Sequence, residues 1–406
     1  MTSLPRARHV HPFPARMAPD VALEKIESLT TPGAVVLDPM CGSGTVPRLA
    51  VAEERNAIAC DLDPLAVQIT RTVCKPHWSN DLSQRAQDVI TTAKRLKTGL
   101  PHWIAHDPAS ESFVGYWFAL AQQDSLSRIA RVLYERPWKD DPLRIALSRL
   151  IVTKEGGASL ARDTSHSRPH RVRLENDFDV YSEFAASAKR VESLAGLLPK
   201  PESPASIRAV DARSLGFIPP SSVDLTVTSP PYLNAIDYLR GHRMSLVWLG
   251  WTITELRGLR GVSIGTERGL WGQSSALLPI AEVGVPRLLD LSAKEQRMVL
   301  RYTRDLDRLC RSISRVVRSG GHLVFVVADS QLRGVPVSNS ALCKALAAKH
   351  GFGLEEGIMR PLPAQHRYLP PPETETSMLS SRMREEVVLT FRKVCATSPV
   401  MTPARK

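Results

Sequence analysis

Apolar positions fall along this chain in two rhythms. Short, nearly continuous runs predict buried strands at Val35–Leu37, Ala57–Cys60, Ser206–Val210, Val223–Thr228, His322–Ala328 and Arg384–Phe391. Longer stretches repeat every three to four residues and predict helices. The first is Asp20–Ser28, with Val21, Leu23, Ile26 and Leu29 on one stripe, followed by Val46–Glu54 and Leu65–Val73. Further helices are predicted at Ser125–Tyr134, Pro142–Val152, Val180–Leu198, Lys294–Val317 and Asn339–His350. Gly320-Gly321 is expected to turn the long helix Lys294–Val317 into the strand after it. The opening therefore reads strand, Gly-rich turn, helix, strand, acid, helix. That is the first half of a doubly wound, mostly parallel α/β sheet.

Two stretches interrupt this pattern. Residues 71–205 are dominated by helical periodicity and hold Trp78, Trp103, Trp117 and Trp138, four of the seven tryptophans. Within them Arg162–Arg173 is rich in Arg and His; it reads as a solvated loop, with phosphate contact as the alternative. A Pro-rich linker, Pro199–Pro204, leads back to the core. Residues 240–300 are irregular, with Trp248, Trp251, Trp271 and several arginines. The 406 residues thus divide into 1–70, the first part of a core, and 71–205, a helical insertion. Then come 206–239, the core resumed, 240–300, a second insertion, 301–393, the last part of the core, and a tail, 394–406, expected to lack structure.

Two loops in this frame carry chemistry. The first runs from Asp38-Pro39-Met40-Cys41 through Gly42-Ser43-Gly44-Thr45 between a strand and a helix. Such a turn brings backbone N–H groups and a helix N-terminus beside a ligand, and glycine permits both the close approach and the positive φ. Asp61, with Asp63 as the weaker candidate, follows the second strand at the spacing of a carboxylate that binds ribose hydroxyls. The second loop is Ser229-Pro230-Pro231-Tyr232, directly after a strand. Two prolines hold the chain in a rigid extended bend and offer carbonyls without N–H groups. A serine hydroxyl beside a free carbonyl suits the clamping of an amino group, and a tyrosine offers a face for a planar base.

Charge and cysteine usage narrow the picture. With 53 Lys and Arg against 41 Asp and Glu, the net charge is +12, which favours an anionic partner such as nucleic acid, although a merely basic soluble protein fits equally. The six cysteines form no C-x-x-C pair and suggest a reducing cytoplasm rather than disulfides or zinc. His102 and His106 share a helical spacing but lack a third ligand, so no metal is expected. The longest apolar runs are too short to span a bilayer, and Met1–Val10 has no apolar stretch of the secretory kind.

Asp38-Pro39-Met40-Cys41-Gly42-Ser43-Gly44-Thr45 together with Thr228-Ser229-Pro230-Pro231-Tyr232 resembles the DNA amino-methyltransferases, which methylate cytosine N4 or adenine N6 with S-adenosylmethionine. The first matches their D-P-F-x-G-S-G-T cofactor loop and the second their (D/N/S)-P-P-(Y/F) catalytic loop. His11-Pro12-Phe13-Pro14-Ala15-Arg16-Met17-Ala18-Pro19 is similar to the Y-P-A-K-F-x-P segment ahead of the cofactor loop. The resemblance covers roughly 10–73 and 206–393 and neither insertion. It implies a Rossmann-like class I methyltransferase sheet with S-adenosylmethionine held by Phe13, Pro14, Asp38, Pro39, Cys41, Gly42, Gly44, Thr45, Asp61 (ribose) and Asp211 (adenine). Cys41 is read as a small packing residue of that loop, not a nucleophile. It further implies that Ser229 and the Pro230 carbonyl bind the target amine, with Pro231 stiffening the loop and Tyr232 stacking on a base flipped out of duplex DNA. A first-position Ser favours cytosine N4 over adenine N6. Asn234, Asp237, Tyr238, Arg240 and Arg243, just past the loop, are expected to contact DNA or order the site. Either insertion could read the target sequence. The implied setting is a prokaryotic, nucleoid-associated enzyme of restriction–modification or phage defence, with a restriction endonuclease as partner. The alternatives are an RNA base methyltransferase, a DNA-binding specificity subunit without catalysis, and methylation of a protein amide.

Overall fold

The computed structural model describes residues 9–13, 16–74, 81–135, 141–151, 153, 156–162, 169–197, 202–233, 237–266, 275–361 and 385–394. Trp78, Trp138, Trp271, half of Arg162–Arg173, the basic start and nearly all of the tail lie outside them. Seven strands build the main sheet: β1 (Val35–Asp38), β2 (Asn56–Asp61), β3 (Ala205–Ala209), β4 (Val223–Thr228), β5 (Val317–Val327), β6 (Phe352–Pro361) and β7 (Glu385–Lys393). Their order across the sheet is β3-β2-β1-β4-β5-β7-β6. The first five are parallel, and β7 runs antiparallel to both β5 and β6. The doubly wound, mostly parallel sheet expected from the sequence is therefore present. The strand order reverses between β1 and β4, the switch point at which open α/β sheets bind ligands.

Both faces of the sheet are covered, as the residue pattern within single strands shows. Along β5, Leu323, Phe325 and Val327 point to one core and Val324 and Val326 to the other. The second of these cores is closed by α1 (Pro19–Leu29) and α2 (Thr45–Ala52). The first is closed by the long α11 (Ala293–Val316) and by α12 (Asn339–Lys349). Burial on two faces explains why the central strands are runs of Val, Leu and Phe instead of alternating polar and apolar residues. Ser292 and Glu295 form a reciprocal cap that fixes the start of α11.

One expectation is corrected here. Gly320-Gly321 does not turn the long helix into a strand, because β5 starts at Val317, directly after the helix, and runs through both glycines. The pairing with β4 shifts register between Val223 and Leu225, which is a bulge. Gly320 takes φ +73°, and a Cβ on Gly321 would lie 2.9 Å from the Asp224 carbonyl. The glycines allow two backbones to approach within a strand.

The two interruptions pack together. After α3 (Pro64–Cys74), the first supplies α4 (Leu82–Arg95), α5 (Pro108–Trp117), α6 (Leu120–Tyr134), α7 (Asp141–Ser148) and α8 (Val180–Ala195). The second begins with α9 (Tyr238–Leu246) and α10 (Ile253–Val262). Trp248, between these two helices, is buried edge-on against Phe118, and Trp103 Nε1 donates to the Val247 carbonyl at 2.8 Å. Residues 239–256 thus share one hydrophobic core with residues 82–191. Residues 281–291 instead join the core beneath α11 and α12.

Candidate active site

Four strand ends place the chemistry in a row. Asp38 ends β1, Asp61 ends β2, Asp211 lies just beyond β3, and Ser229 follows β4. These strands are neighbours in the order β3-β2-β1-β4, so Asp211 and Ser229 are three strand spacings apart, about 14 Å at about 4.8 Å each. A row of this kind suits an extended ligand.

The glycine loop is shaped as its residues require. Gly42 and Gly44 take φ +47° and +76°. A Cβ on Gly44 would lie 2.9 Å from Val73 and 3.0 Å from the Thr70 backbone, and one on Gly42 would lie 3.2 Å from the Phe13 ring. Phe13 therefore lies against the loop, and Tyr238 stacks on Phe13 at 5.5 Å between ring centroids. Asp61 accepts from the N–H of Gly42 at 2.9 Å and of Asp63 at 2.9 Å, tying the loop to the end of β2. Asp38 accepts from Thr228 Oγ1 at 2.9 Å and from the Met40 N–H at 3.1 Å, joining the cofactor-type loop to the strand of the second loop. Cys41 is buried and receives a hydrogen bond from Thr70, in keeping with a packing role. Thr45 is buried at the start of α2 and meets Ser43 at 3.2 Å.

Neither Asp38 nor Asp61 has a basic side chain hydrogen-bonded to it among the described residues. Burial, opposed by the bonds from Thr228 and Met40, pushes the Asp38 carboxyl up to about 7. Burial and the neighbouring Asp63 push Asp61 to about 6, against the bonds from Asp63 and Gly42 N–H and the nearby His242. Such a pair is arranged for a cationic ligand. The raised value also has a sign. A carboxyl raised in the folded state destabilises the fold as pH climbs from the unfolded value toward the folded one. Asp38→Asn, which keeps an acceptor for Thr228 and Met40, should gain Tm over wild type as pH rises from about 4 to about 7, then hold that gain. Thermal unfolding of both proteins across this range checks it; a constant difference would mean that folding does not raise the carboxyl's pKa.

In the second loop, Ser229 is half-buried and Pro230 buried. Tyr302 Oη donates to the Pro231 carbonyl at 3.0 Å, whereas the Pro230 carbonyl has no donor among the described residues. The Tyr232 hydroxyl is bonded to Ser229 and to the Ala328 backbone, and burial raises its pKa to about 12. It therefore stays protonated and positions Ser229. Asp211 is held by Arg213, whose Nε and Nη2 reach its two oxygens at 2.6–3.2 Å, and Arg213 also meets Asp305 at 2.6 Å.

Pro14 and Asn234 lie outside the described residues. Phe13, Asp38, Pro39, Cys41, Gly42, Gly44, Thr45 and Asp61 gather at the ends of β1 and β2, and Ser229 to Tyr232 follow the neighbouring β4. Tyr238 faces the glycine-loop side through Phe13, while Arg240 and Arg243 lie farther along α9. Sequence reasoning missed His242. Its Nδ1 is 2.5 Å from Asp63 Oδ2, its ring is buried 5.1 Å from Phe13, and its Nε2 has no partner among the described residues. Only the fold brings together residues 179 positions apart, so no local signal could have revealed the pair.

Residues 3–72 match the family model described as DNA methylase. The comparison with curated proteins returned no match. Among solved structures, a SAM-dependent methyltransferase from Methanosarcina mazei aligns over 94% of this chain and 99% of its own, at 7% identity and TM-score 0.33. A protein described as a DNA modification methylase, from Thermus thermophilus, aligns over 47% of this chain and 53% of its own, at 21% identity and TM-score 0.23. An rRNA methyltransferase from Streptomyces viridochromogenes aligns over 97% and 91%, at 12% identity and TM-score 0.33. These superpositions are too loose to carry an argument about chemistry.

Proposed function

We propose that this chain, whose residues 3–72 carry the DNA methylase pattern, transfers a methyl group from S-adenosylmethionine to an exocyclic amine of a DNA base, cytosine N4 in preference to adenine N6. The observation that carries the reading is the pairing, across neighbouring strand ends, of two carboxylates, Asp38 buried and Asp61 half-buried, neither hydrogen-bonded to a basic side chain among the described residues, with a clamp made of Ser229 and the free Pro230 carbonyl. The residues present fit the cofactor: Asp38, beside Gly42 and Gly44, suits its cationic methionine part, and Phe13 against the loop helps close the site. When bound, S-adenosylmethionine supplies an electrophilic methyl. Asp61 would take the ribose hydroxyls with the acceptor capacity left by its two backbone bonds. Asp211, fixed by Arg213, would meet the adenine.

Ser229 and the Pro230 carbonyl would receive the two N–H groups of the target amine. In a nucleobase that nitrogen's lone pair is delocalised into the ring. Hydrogen bonds that favour a pyramidal nitrogen return the lone pair to it, and positioning supplies much of the remaining rate. A base in a duplex must first leave the stack, at a cost of a few kcal/mol. The exposed part of the half-buried Tyr232 ring is the stacking surface we assign to it. A prokaryotic restriction–modification or phage-defence setting, with a partner endonuclease, belongs to the same proposal, as does a cytoplasmic, nucleoid-associated location. No described helix is long and apolar enough to cross a membrane.

Base-resolved methylation mapping of DNA from cells expressing the chain tests the reading. The expected result is N4-methylcytosine at one recurring sequence. Unmodified DNA together with label transferred from the cofactor to RNA would favour the RNA alternative.

A further inference from the structure

Past the second loop, α9 and α10 form a hairpin around a cavity of about 300 Å³. Arg240, Arg243, Arg257 and Arg260 line it over an apolar floor that includes Leu239 and Leu256. We propose that this cavity is a phosphodiester site, which grips the nucleic-acid backbone beside the target base. The inference rests on the function proposed above and adds Arg257 and Arg260 to the residues that serve it.

Four guanidinium groups around one cavity repel one another unless something anionic lies between them. Among the described residues Asp237 is the acid the cluster meets, and Arg260 already holds it. Arg240 and Arg257 make no side-chain hydrogen bond or ion pair among the described residues. Arg243 lies over the Phe113 ring at 5.1 Å, a contact that leaves its donors unused, and its buried Nε has no acceptor among the described residues. Burial and then the repulsion of Arg260, Arg240 and Arg257 lower its pKa. An arrangement this unfavourable in the free protein is the kind a phosphate completes, since guanidinium forks match its oxygens. At about 300 Å³ the cavity is larger than a simple ion needs.

The position of the hairpin points to the target strand. Asp237 accepts from the Arg240 N–H and so caps the start of α9, close in sequence to the second loop. After α10, Gly265 lies so near that loop that a Cβ on it would be 3.1 Å from the Tyr232 carbonyl. The hairpin thus starts shortly after the amine clamp in the chain and returns to it at Gly265.

The test uses the full chain with Arg240→Gln/Arg257→Gln, two groups without internal partners, and Arg240→Lys/Arg257→Lys as the charge-retaining control. Binding to a short DNA duplex, and separately to a structured RNA, is titrated at several salt concentrations. For DNA, the Gln variant should bind about tenfold or more weakly at physiological salt and lose about 1 from the log–log salt slope, with the Lys variant close to wild type in slope. The Gln variant should also melt no lower than wild type, because it relieves repulsion. An unchanged salt slope and affinity in the Gln variant would overturn the site even if wild type methylates DNA. The same losses seen with RNA and not DNA would keep the phosphodiester site while sinking the DNA reading. Failure of wild type to bind either nucleic acid would overturn both.

Discussion

Ser229→Ala is expected to lower kcat about a hundredfold while leaving cofactor affinity within about twofold of wild type. The serine hydroxyl is bonded to Tyr232, whose own hydroxyl is braced by Ala328, so its position does not depend on substrate. Its contribution is made to the amine as the nitrogen changes shape, which is when a preorganised dipole matters most. No bond from Ser229 reaches the glycine loop among the described residues, so the cofactor should not register its removal. Single-turnover methylation measures the first effect and calorimetry with S-adenosylmethionine the second. A similar loss in both would place Ser229 in cofactor binding and remove it from the clamp.

Asp61→Ala is expected to act in the opposite order, weakening cofactor binding by about ten- to a hundredfold before it affects the rate at saturating cofactor. Hydrogen bonds to a charged group contribute about 1.5–3 kcal/mol, and Asp61 would make them to a ribose. The same carboxylate anchors the Gly42 and Asp63 N–H groups, so the substitution also loosens the glycine loop. Calorimetry reads the affinity, and rate against cofactor concentration separates KM from kcat. Undiminished affinity would show that the ribose is held elsewhere, with Asp63 then the first residue to examine.

Much of this site is legible in the sequence because its parts are local. A glycine turn between Val35–Leu37 and the next helix, an acid after Cys60 and two prolines after Thr228 are each set by a few consecutive residues. The central strands are legible because burial on both faces leaves continuous apolar runs. Strand β6 is not, since its middle is exposed and carries Glu355 and Glu356. Its pairing with β7 makes it a strand, and that partner follows in the chain only at Glu385. The Gly320-Gly321 pair misleads for a similar reason: two glycines mark a close approach of backbones, and sequence alone does not say whether that approach is a turn or a bulge. The His242–Asp63 pair and the four-arginine cavity arise from tertiary contacts between residues that no motif relates.

The common core of the two interruptions ties each to the other. Trp248 and Val247 follow the clamp in sequence, yet their packing partners Phe118 and Trp103 lie in the earlier segment. Ile253 N–H donates to Ser110 Oγ at 2.7 Å, and Arg144 donates to the Leu249 carbonyl at 3.3 Å. A recombination event that exchanged residues 82–191 for those of a relative would leave the faces of 239–256 without their matching surfaces. The two segments can therefore vary only by substitution within the existing shape, or by exchange of both at once together with the stretch that lies between them in the chain.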